Sequence, residues 1–303
     1  MRAARVLAWM PTEPSVRVMA RATAEAAARG AGLRVLSLAA PPPQWPSWQR
    51  AASSQGIEAS WRVVASAAPG STAPEALHEL GKAALVVTEA SGLRDMVDPP
   101  VSSAAVVARA DVYVVAQARV SSRPRMHEPA VVVGVSDDPG DVHLVGAAAV
   151  EAQLRRRHLV VLHARLRAVR GVDHRMEHRW LDALASFTQA SPGFLPAQVV
   201  VTHRPVVNAL RDHVDSEDVL VLGVRPGCPP QEDPVVGALL SAPPCDLLLT
   251  RRSARPTGGL RPVADEGSHA RGAAWHQLPA EALVPPDHDG GRQVTGEPAV
   301  ATD

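Results

Sequence analysis

Short apolar segments alternate with capped, alanine-rich segments along most of the chain. Residues 5–9 read RVLAW and end at the turn-like MPTEPS, and residues 33–39 read LRVLSLA. Apolar runs of this length, bounded by turn residues, are typical of strands buried on both faces. Between them, residues 16–30 follow Ser15 as a helix cap and end at Gly30, which predicts a helix. A strand, a helix and a strand in so few residues predict a βαβ unit with parallel strands.

The same alternation continues, is interrupted by a polar stretch at residues 118–128, and then begins again. Residues 40–60 predict an irregular or weakly helical connection. A helical face is predicted from Trp180, Leu184 and Phe187. The remaining predicted strands cover residues 61–65, 84–88, 111–116, 131–135, 159–164, 198–202, 219–223 and 246–250, and the helices cover 74–80, 102–110, 142–157 and 205–213.

The two parts of the chain repeat one design. Glu25 in AEA recurs as Glu151 in VEA, 126 residues later, and Asp111 in DVYVV recurs as Asp246 in DLLLT, 135 residues later. Self-similarity at this spacing indicates a duplicated α/β unit, and we expect each copy to have its own core.

This repeat predicts two tandem α/β domains, each a doubly wound, Rossmann-like parallel sheet. The first domain covers residues 1–118, a linker covers 119–128, and the second domain covers 129–251. Residues 252–303 are rich in Pro, Gly, Arg and Asp without a sustained hydrophobic period, so we expect a disordered tail.

Composition and charge narrow the classes of function. Thirty-one basic residues balance 31 acidic ones, so bulk charge gives no reason to expect a nucleic-acid or membrane partner. No segment reaches the length of a membrane span, and the N-terminal apolar run is too short for a signal peptide. Cys228 and Cys245 form neither a disulfide framework nor a metal-binding spacing, so we expect a reduced, cytoplasmic protein.

Five segments of the second half read PAVVVGVSDDPGD (129–141), LVVLHA (159–164), RPVVNALRD (204–212), DVLVLG (218–223) and APPCDLLLT (242–250), and the first half has fainter versions. In this order the segments resemble the universal stress protein family. The resemblance covers about residues 3–117 and 129–251. It implies parallel, doubly wound sheets whose last strands pair two halves or two protomers. We therefore expect intramolecular pairing of residues 111–116 with 246–250, with a homodimer as a further arrangement.

Nucleotide-binding members of that family have an acidic residue after the first strand and a loop of the form G-x-x-G-x9-G-[ST] after the fourth. Glycines let backbone amides approach phosphates there. In the second half, Ser136 stands at the acidic position, and Ala238 replaces the loop hydroxyl. By this resemblance, the residues of a remodelled ATP site are Val135, Asp137, Leu162, Gly223, Gly227 and Gly237.

The same loop departs from the pattern in ways that oppose phosphate binding. Pro229, Pro230 and Pro234 lack amide hydrogens, and Glu232 and Asp233 add negative charge. In the first half the departure is larger, because Thr88 replaces the first loop glycine, Met10 stands at the acidic position, and the loop holds the single glycine Gly92.

These departures favour a non-enzymatic stress-response protein with weakened or lost ATP binding, which acts by binding an unknown protein partner or a small ligand. No cofactor is expected on this interpretation. The alternative is an ATP-binding or adenine-nucleotide-binding member of the family, with ATP as its ligand and weak hydrolase activity.

A third interpretation comes from the HRMEH segment. His174 and His178 would share one face of a helix and could bind zinc, with Glu177 as a base, as in zinc hydrolases. The ordinary interpretation is a solvated helix start before Trp180. His163, at the end of a buried strand, is expected to be structural.

Overall fold

A computed structural model gives the fold for most of the two repeats. It describes residues 5–11, 13–64, 78–80, 82–95, 110–117, 127–164, 178, 180–182, 184–185, 197–225 and 227–252. Several predictions fall on residues that the structure does not describe. They are the helix at 102–110 except for Ala110, residues 74–77 of the helix at 74–80, Phe187, most of the predicted linker and the tail beyond Arg252. None of the described helices is long and apolar enough to cross a membrane.

The elements follow the predicted order, with bounds that differ from the predictions by up to two residues in most cases. The strands are β1 (Arg5–Met10), β2 (Gly32–Ser37), β3 (Ala59–Val63), β4 (Leu85–Glu89), β5 (Asp111–Val115), β6 (Ala130–Val135), β7 (His158–Ala164), β8 (Ala197–Thr202), β9 (Val219–Val224) and β10 (Asp246–Arg251). The helices are α1 (Val16–Arg29), α2 (Trp45–Ser53), α3 (Ala90–Asp95), α4 (Val142–Arg155), α5 (Val206–His213) and α6 (Pro234–Ser241), with a 3₁₀ turn at Pro139–Asp141.

Local sequence signals explain both ends of α1. Ser15 lies in the extended region, and its hydroxyl accepts a hydrogen bond from the Val18 amide, as an N-cap residue does. Gly30 ends the helix with φ of 56°, a left-handed conformation that glycine adopts without steric cost. The helix predicted from its cap and its glycine is therefore confirmed.

All ten strands form one sheet in the order β3-β2-β1-β4-β5-β10-β9-β6-β7-β8. Neighbours within each half are parallel. The halves meet where β5 pairs antiparallel with β10 and Tyr113 lies opposite Leu248. The predicted doubly wound α/β class is confirmed, and the last strands of the two halves pair as expected.

The connection at residues 40–60 is more regular than the sequence indicated. It contains α2, a nine-residue helix with Pro46 in its first turn. Trp45 packs edge-on against Trp61 of β3, with ring centroids 5.2 Å apart. The prediction understated this helix because its stability depends on tryptophan packing that lies outside the local pattern.

The expectation of one core per half is wrong. One cluster of buried residues lies on the sheet face covered by α1 and α4 and includes Val6, Leu85 and Val131. A second cluster lies on the opposite face and includes Leu7, Val86 and Val132. Each cluster draws on both halves, because alternate residues of a strand point to opposite faces and the sheet is continuous across β5 and β10.

Candidate functional site

In an open parallel sheet, ligands bind beyond the carboxyl ends of the strands, where the strand order reverses. This sheet has such a point in each half. One lies between β1 and β4, where Val6 pairs with Leu85, and the other between β6 and β9, where Val131 pairs with Val219. The sequence placed its candidate nucleotide site at the second of these points.

Hydrogen bonds among its own residues hold the loop after β6 in place. The carboxylate of Asp141 accepts hydrogen bonds from the Ser136 amide at 2.7 Å and from the Ser136 hydroxyl at 2.8 Å. The Asp138 amide donates to the Ser136 hydroxyl, and the Gly140 amide donates to the Asp138 carboxylate. Three amides that face into the turn are thereby satisfied without a bound anion.

Arg252 lies over this loop. Its Nη2 lies 2.9 Å from Asp141 Oδ2, its Nε lies 2.8 Å from Asp141 Oδ1, and Nη2 also lies 3.2 Å from the Ser136 hydroxyl. The side chain of Asp141 is fully buried, and that of Arg252 is 21% exposed. The Arg252 amide donates to the carbonyl of Val224, so the residue is fixed beside the end of β9.

Gly223, one of the candidate residues, lies directly beneath Arg252. A Cβ at this position would come within 2.7 Å of Arg252 Cγ and 2.6 Å of Leu144 Cδ1. The glycine therefore makes room for a protein side chain. The arginine side chain thus lies directly over Gly223 at the end of β9.

The loop between β9 and α6 is also internally bonded. The carboxylate of Asp233 caps α6 by accepting from the amides of Val235 and Val236. The Glu232 amide donates to the carbonyl of Pro229. An anion at this helix end would meet a carboxylate in the place where free amides attract phosphate.

Two of the loop glycines have different roles. Gly227 adopts φ of 76°, so it supports the turn after β9. Gly237 lies inside α6, where a Cβ would come within 2.4 Å of the backbone oxygen of Gln231. The sequence treated Gly237 as a loop residue, but the structure places it where the helix touches the preceding loop.

The remaining candidates do not converge on one ligand position. Val135 is buried at the end of β6 and pairs with His163 of β7. Leu162 is buried in the cluster on the α5 and α6 face. Asp137 Oδ1 lies 3.0 Å from Nε2 of the buried His163, which supports the structural role predicted for this histidine.

In the first half, the crevice between β1 and β4, where the strand order reverses (the switch point of that half), is filled by side chains of the protein itself. The Thr88 hydroxyl donates to the carbonyl of Trp9, and the Trp9 indole donates to the carbonyl of Gly92. Helix α3 follows β4 directly, so little loop remains. The carboxylate of Glu89 accepts from the Ser15 hydroxyl at the start of α1, which places negative charge at that helix end.

A groove of about 540 Å³ lies where the two halves meet, and arginines line much of it. Arg21 is bound to Asp246 at 2.6 Å, Arg17 donates to the carbonyl of Ala116, and Arg157 donates to the carbonyl of Glu217. Arg21 is therefore paired with a carboxylate, whereas the backbone carbonyl partners of Arg17 and Arg157 do not offset the charge of those two side chains.

The zinc-hydrolase interpretation cannot be built from the described residues. His178 is exposed on a short helical turn, while His174 and Glu177 lie outside the described part of the chain. The HRMEH hypothesis therefore stays a prediction.

Sequence reasoning missed Asp141 and Arg252, which dominate the second switch point. Asp141 carried a weak signal, since an aspartate directly before an alanine-rich helix is a common cap. Arg252 carried none, because it was assigned to the disordered tail. The structure describes the chain as far as Arg252, whose amide donates to the carbonyl of Val224.

Comparisons with known proteins agree with this architecture. No protein-family model and no curated protein sequence matches the chain. A structure from Pseudomonas aeruginosa that is described as a putative universal stress protein superposes with a TM-score of 0.51 at 15% identity, covering 82% of this chain and 94% of that one. A universal stress protein from Archaeoglobus fulgidus gives a TM-score of 0.52 at 11% identity, covering 82% and 96%.

The cytoplasmic domain of a prokaryotic cation chloride cotransporter is also similar, with a TM-score of 0.54 at 10% identity, covering 84% of this chain and 98% of that one. Identities this low establish the fold alone. The chain has the fold of universal stress proteins, and the resemblance noted in its sequence is confirmed at that level.

Proposed function

We propose that the chain is a tandem member of the universal stress protein family that works as a regulatory binding protein and not as a nucleotide-hydrolysing enzyme. The observation that carries this proposal is the Arg252–Asp141 pair, which occupies the crevice above Gly223. The fold and the order of the two repeats support the family assignment. The cytoplasmic location and the identity of the partner stay predictions.

Three features of the second half argue against a triphosphate there. The amides of Ser136, Asp138 and Gly140 are bonded within their own loop. Helix α6 is capped by the carboxylate of Asp233. Prolines in the loop remove further donors, so a phosphate would have to displace existing hydrogen bonds and a buried ion pair.

The test is calorimetric titration of the full chain with MgATP, together with mass spectrometry of the purified protein for a copurified nucleotide. We expect no copurified nucleotide and no micromolar binding. A matched variant is Arg252→Ala, which opens the crevice, and Arg204→Ala is the control because Arg204 is paired with Asp212 on the surface.

Bound ATP in the wild-type protein, or micromolar affinity, would contradict the proposal and favour the alternative of an ATP-binding protein with weak hydrolase activity. ATP binding that appears only in the Arg252→Ala variant would instead support the role of Arg252 as the group that fills the crevice.

A further inference from the structure

A second cluster of polar side chains lies at the opposite edge of the sheet, around the amino-terminal ends of β6 and β9. His127, Asp215 and Asp218 each offer one ligand atom, and these three atoms lie within 4.8 Å of one another. His127 lies just before β6, whereas Asp215 and Asp218 come from the connection between α5 and β9. Residues from two separate parts of the chain therefore meet at one point.

The distances fit a shared cation better than direct hydrogen bonds. His127 Nε2 is 3.6 Å from Asp218 Oδ2 and 3.8 Å from Asp215 Oδ2. Both distances are too long for a hydrogen bond. Two ligand atoms that each lie about 2.1 Å from a tetrahedral zinc ion are about 3.4 Å apart, which is close to the separations seen here. The carbonyl oxygen of His213 lies 3.3 Å from the same Nε2, where it accepts a hydrogen bond when Nε2 is protonated and is close enough to be a fourth ligand when it is not.

The surroundings hold these donors in place. His127 Nδ1 lies 2.9 Å from the carbonyl of Glu128 and Nε2 lies 3.3 Å from the carbonyl of His213, so each ring nitrogen can donate a proton to an acceptor. Binding a metal ion through Nε2 requires the loss of the proton on that nitrogen, while the hydrogen bond at Nδ1 remains. Metal-binding histidines commonly have such a second hydrogen bond. Asp218 accepts from the amides of Ala130 and Asp215, both at 2.7 Å, so its carboxylate is fixed before any ion arrives.

Two carboxylates face a single imidazole at this point. The side chain of Asp218 is fully buried, and within the described residues its ion-pair partner is His127, which is charged only when protonated. A divalent cation would neutralise both carboxylates. His127 and Asp215 are 28% and 17% exposed, so an ion can reach them from solvent.

We propose that His127, Asp215 and Asp218, with the carbonyl of His213, form a binding site for a divalent transition-metal ion of the zinc class. One imidazole and three oxygen donors are within the range of zinc ligands. This site is separate from the crevice filled by Arg252, so it does not depend on whether the chain binds nucleotide.

The test uses the full chain, freed of metal with a chelator, and titrates it with Zn²⁺ by calorimetry. Co²⁺ is a second probe, because its visible absorption reports tetrahedral coordination. The variants are His127→Gln and Asp215→Asn, with circular dichroism to show that each is folded. The control is the double variant His174→Gln/His178→Gln, which removes the other histidine pair that the sequence marks as a zinc candidate.

We expect one zinc ion per chain and at least a ~10-fold loss of affinity in each single variant, the loss typical when a supporting group of a metal site is removed. The control variant should bind zinc as the wild-type protein does. The proposal is overturned if wild-type protein binds no zinc, if His127→Gln and Asp215→Asn both bind it unchanged, or if the loss is confined to the control variant.

Discussion

Arg155 of α4 forms an ion pair with Glu25 of α1, across the junction between the two repeats. The reciprocal pair joins Arg29 to Glu151, and each glutamate is also bound by the arginine one turn later in its own helix. The repeated glutamates found in the sequence thus meet in one network. Arg155 also lies over the ring of Tyr113 in β5, at 5.4 Å from its centroid.

This network should contribute to stability more than an exposed ion pair does. Glu25 and Arg155 are 3% and 9% exposed, so Glu25→Gln leaves a nearly buried arginine short of a counter-charge. We expect the free energy of unfolding to fall by about 3 kcal/mol. A double-mutant cycle with Arg155→Met, followed by urea unfolding, should give a coupling energy above about 1 kcal/mol.

The control cycle for that measurement is Arg204 with Asp212, which are 63% and 39% exposed. Its coupling energy should stay below about 0.5 kcal/mol. Equal coupling in the two cycles would show that the junction network adds nothing beyond surface electrostatics.

Gly237→Ala should destabilise the protein even without any ligand. The new Cβ would meet the backbone oxygen of Gln231, which cannot move without shifting the loop before α6. We expect a loss of about 1–3 kcal/mol, although alanine is the better helix former. Thermal unfolding of the nucleotide-free protein measures this effect.

Gly32→Ala is the control for this variant, because a Cβ there meets only the Glu58 carbonyl oxygen at an ordinary 3.7 Å. A Gly237→Ala protein as stable as Gly32→Ala would mean that Gly237 is not needed for packing, and the ligand role predicted from the sequence would regain support.

Glu79 should make part of the stability depend on pH. Burial opposes the ionisation of Glu79 and by itself would raise its pKa. The pKa of Glu79 is nevertheless below its ordinary value, because Arg34 donates a hydrogen bond to the carboxylate and the charges of Arg34, Lys82 and Arg62 stabilise it. A lowered pKa stabilises the fold above the unfolded-state pKa, and this contribution is lost as pH falls through the folded-state value.

Glu79→Gln should therefore cost about 1 kcal/mol at pH 7. The difference from the wild-type protein should begin to shrink as pH falls through about 4, where the unfolded-state carboxyl becomes protonated, and should be lost as pH falls through the folded-state pKa. Urea unfolding at a series of pH values measures both. A difference that is constant with pH would show that the ionised carboxylate is not the stabilising group.

Thr88→Val should weaken the closed switch point of the first half. The Thr88 side chain is buried and donates to the Trp9 carbonyl at 3.0 Å, so valine leaves that carbonyl without its donor. We expect a loss of about 1–2 kcal/mol by denaturant unfolding. Thr23→Val is the comparison, since its hydroxyl bonds to the carbonyl one turn back in the half-buried α1. A loss no larger than that of Thr23→Val would contradict a structural role for Thr88.

The sequence determined the strands, most of the helices and their order, because buried parallel strands and capped helices leave local patterns that need no distant partner. Ser15 and Gly30 mark both ends of α1, and the duplicated Asp111 and Asp246 mark the two strands that pair. Sequence reasoning also identified the loop residues that disfavour phosphate in the crevice between β6 and β9. The prolines there lack backbone N–H donors, and the acidic residues add negative charge.

Tertiary structure alone decided what fills that crevice and how the cores are divided. Arg252 reaches Asp141 from 111 residues away, and no periodicity encodes such a contact. His127 meets Asp215 and Asp218 for the same reason. The cores follow the faces of the sheet and not the repeats, because antiparallel pairing of β5 with β10 makes one continuous sheet whose two sides are buried separately.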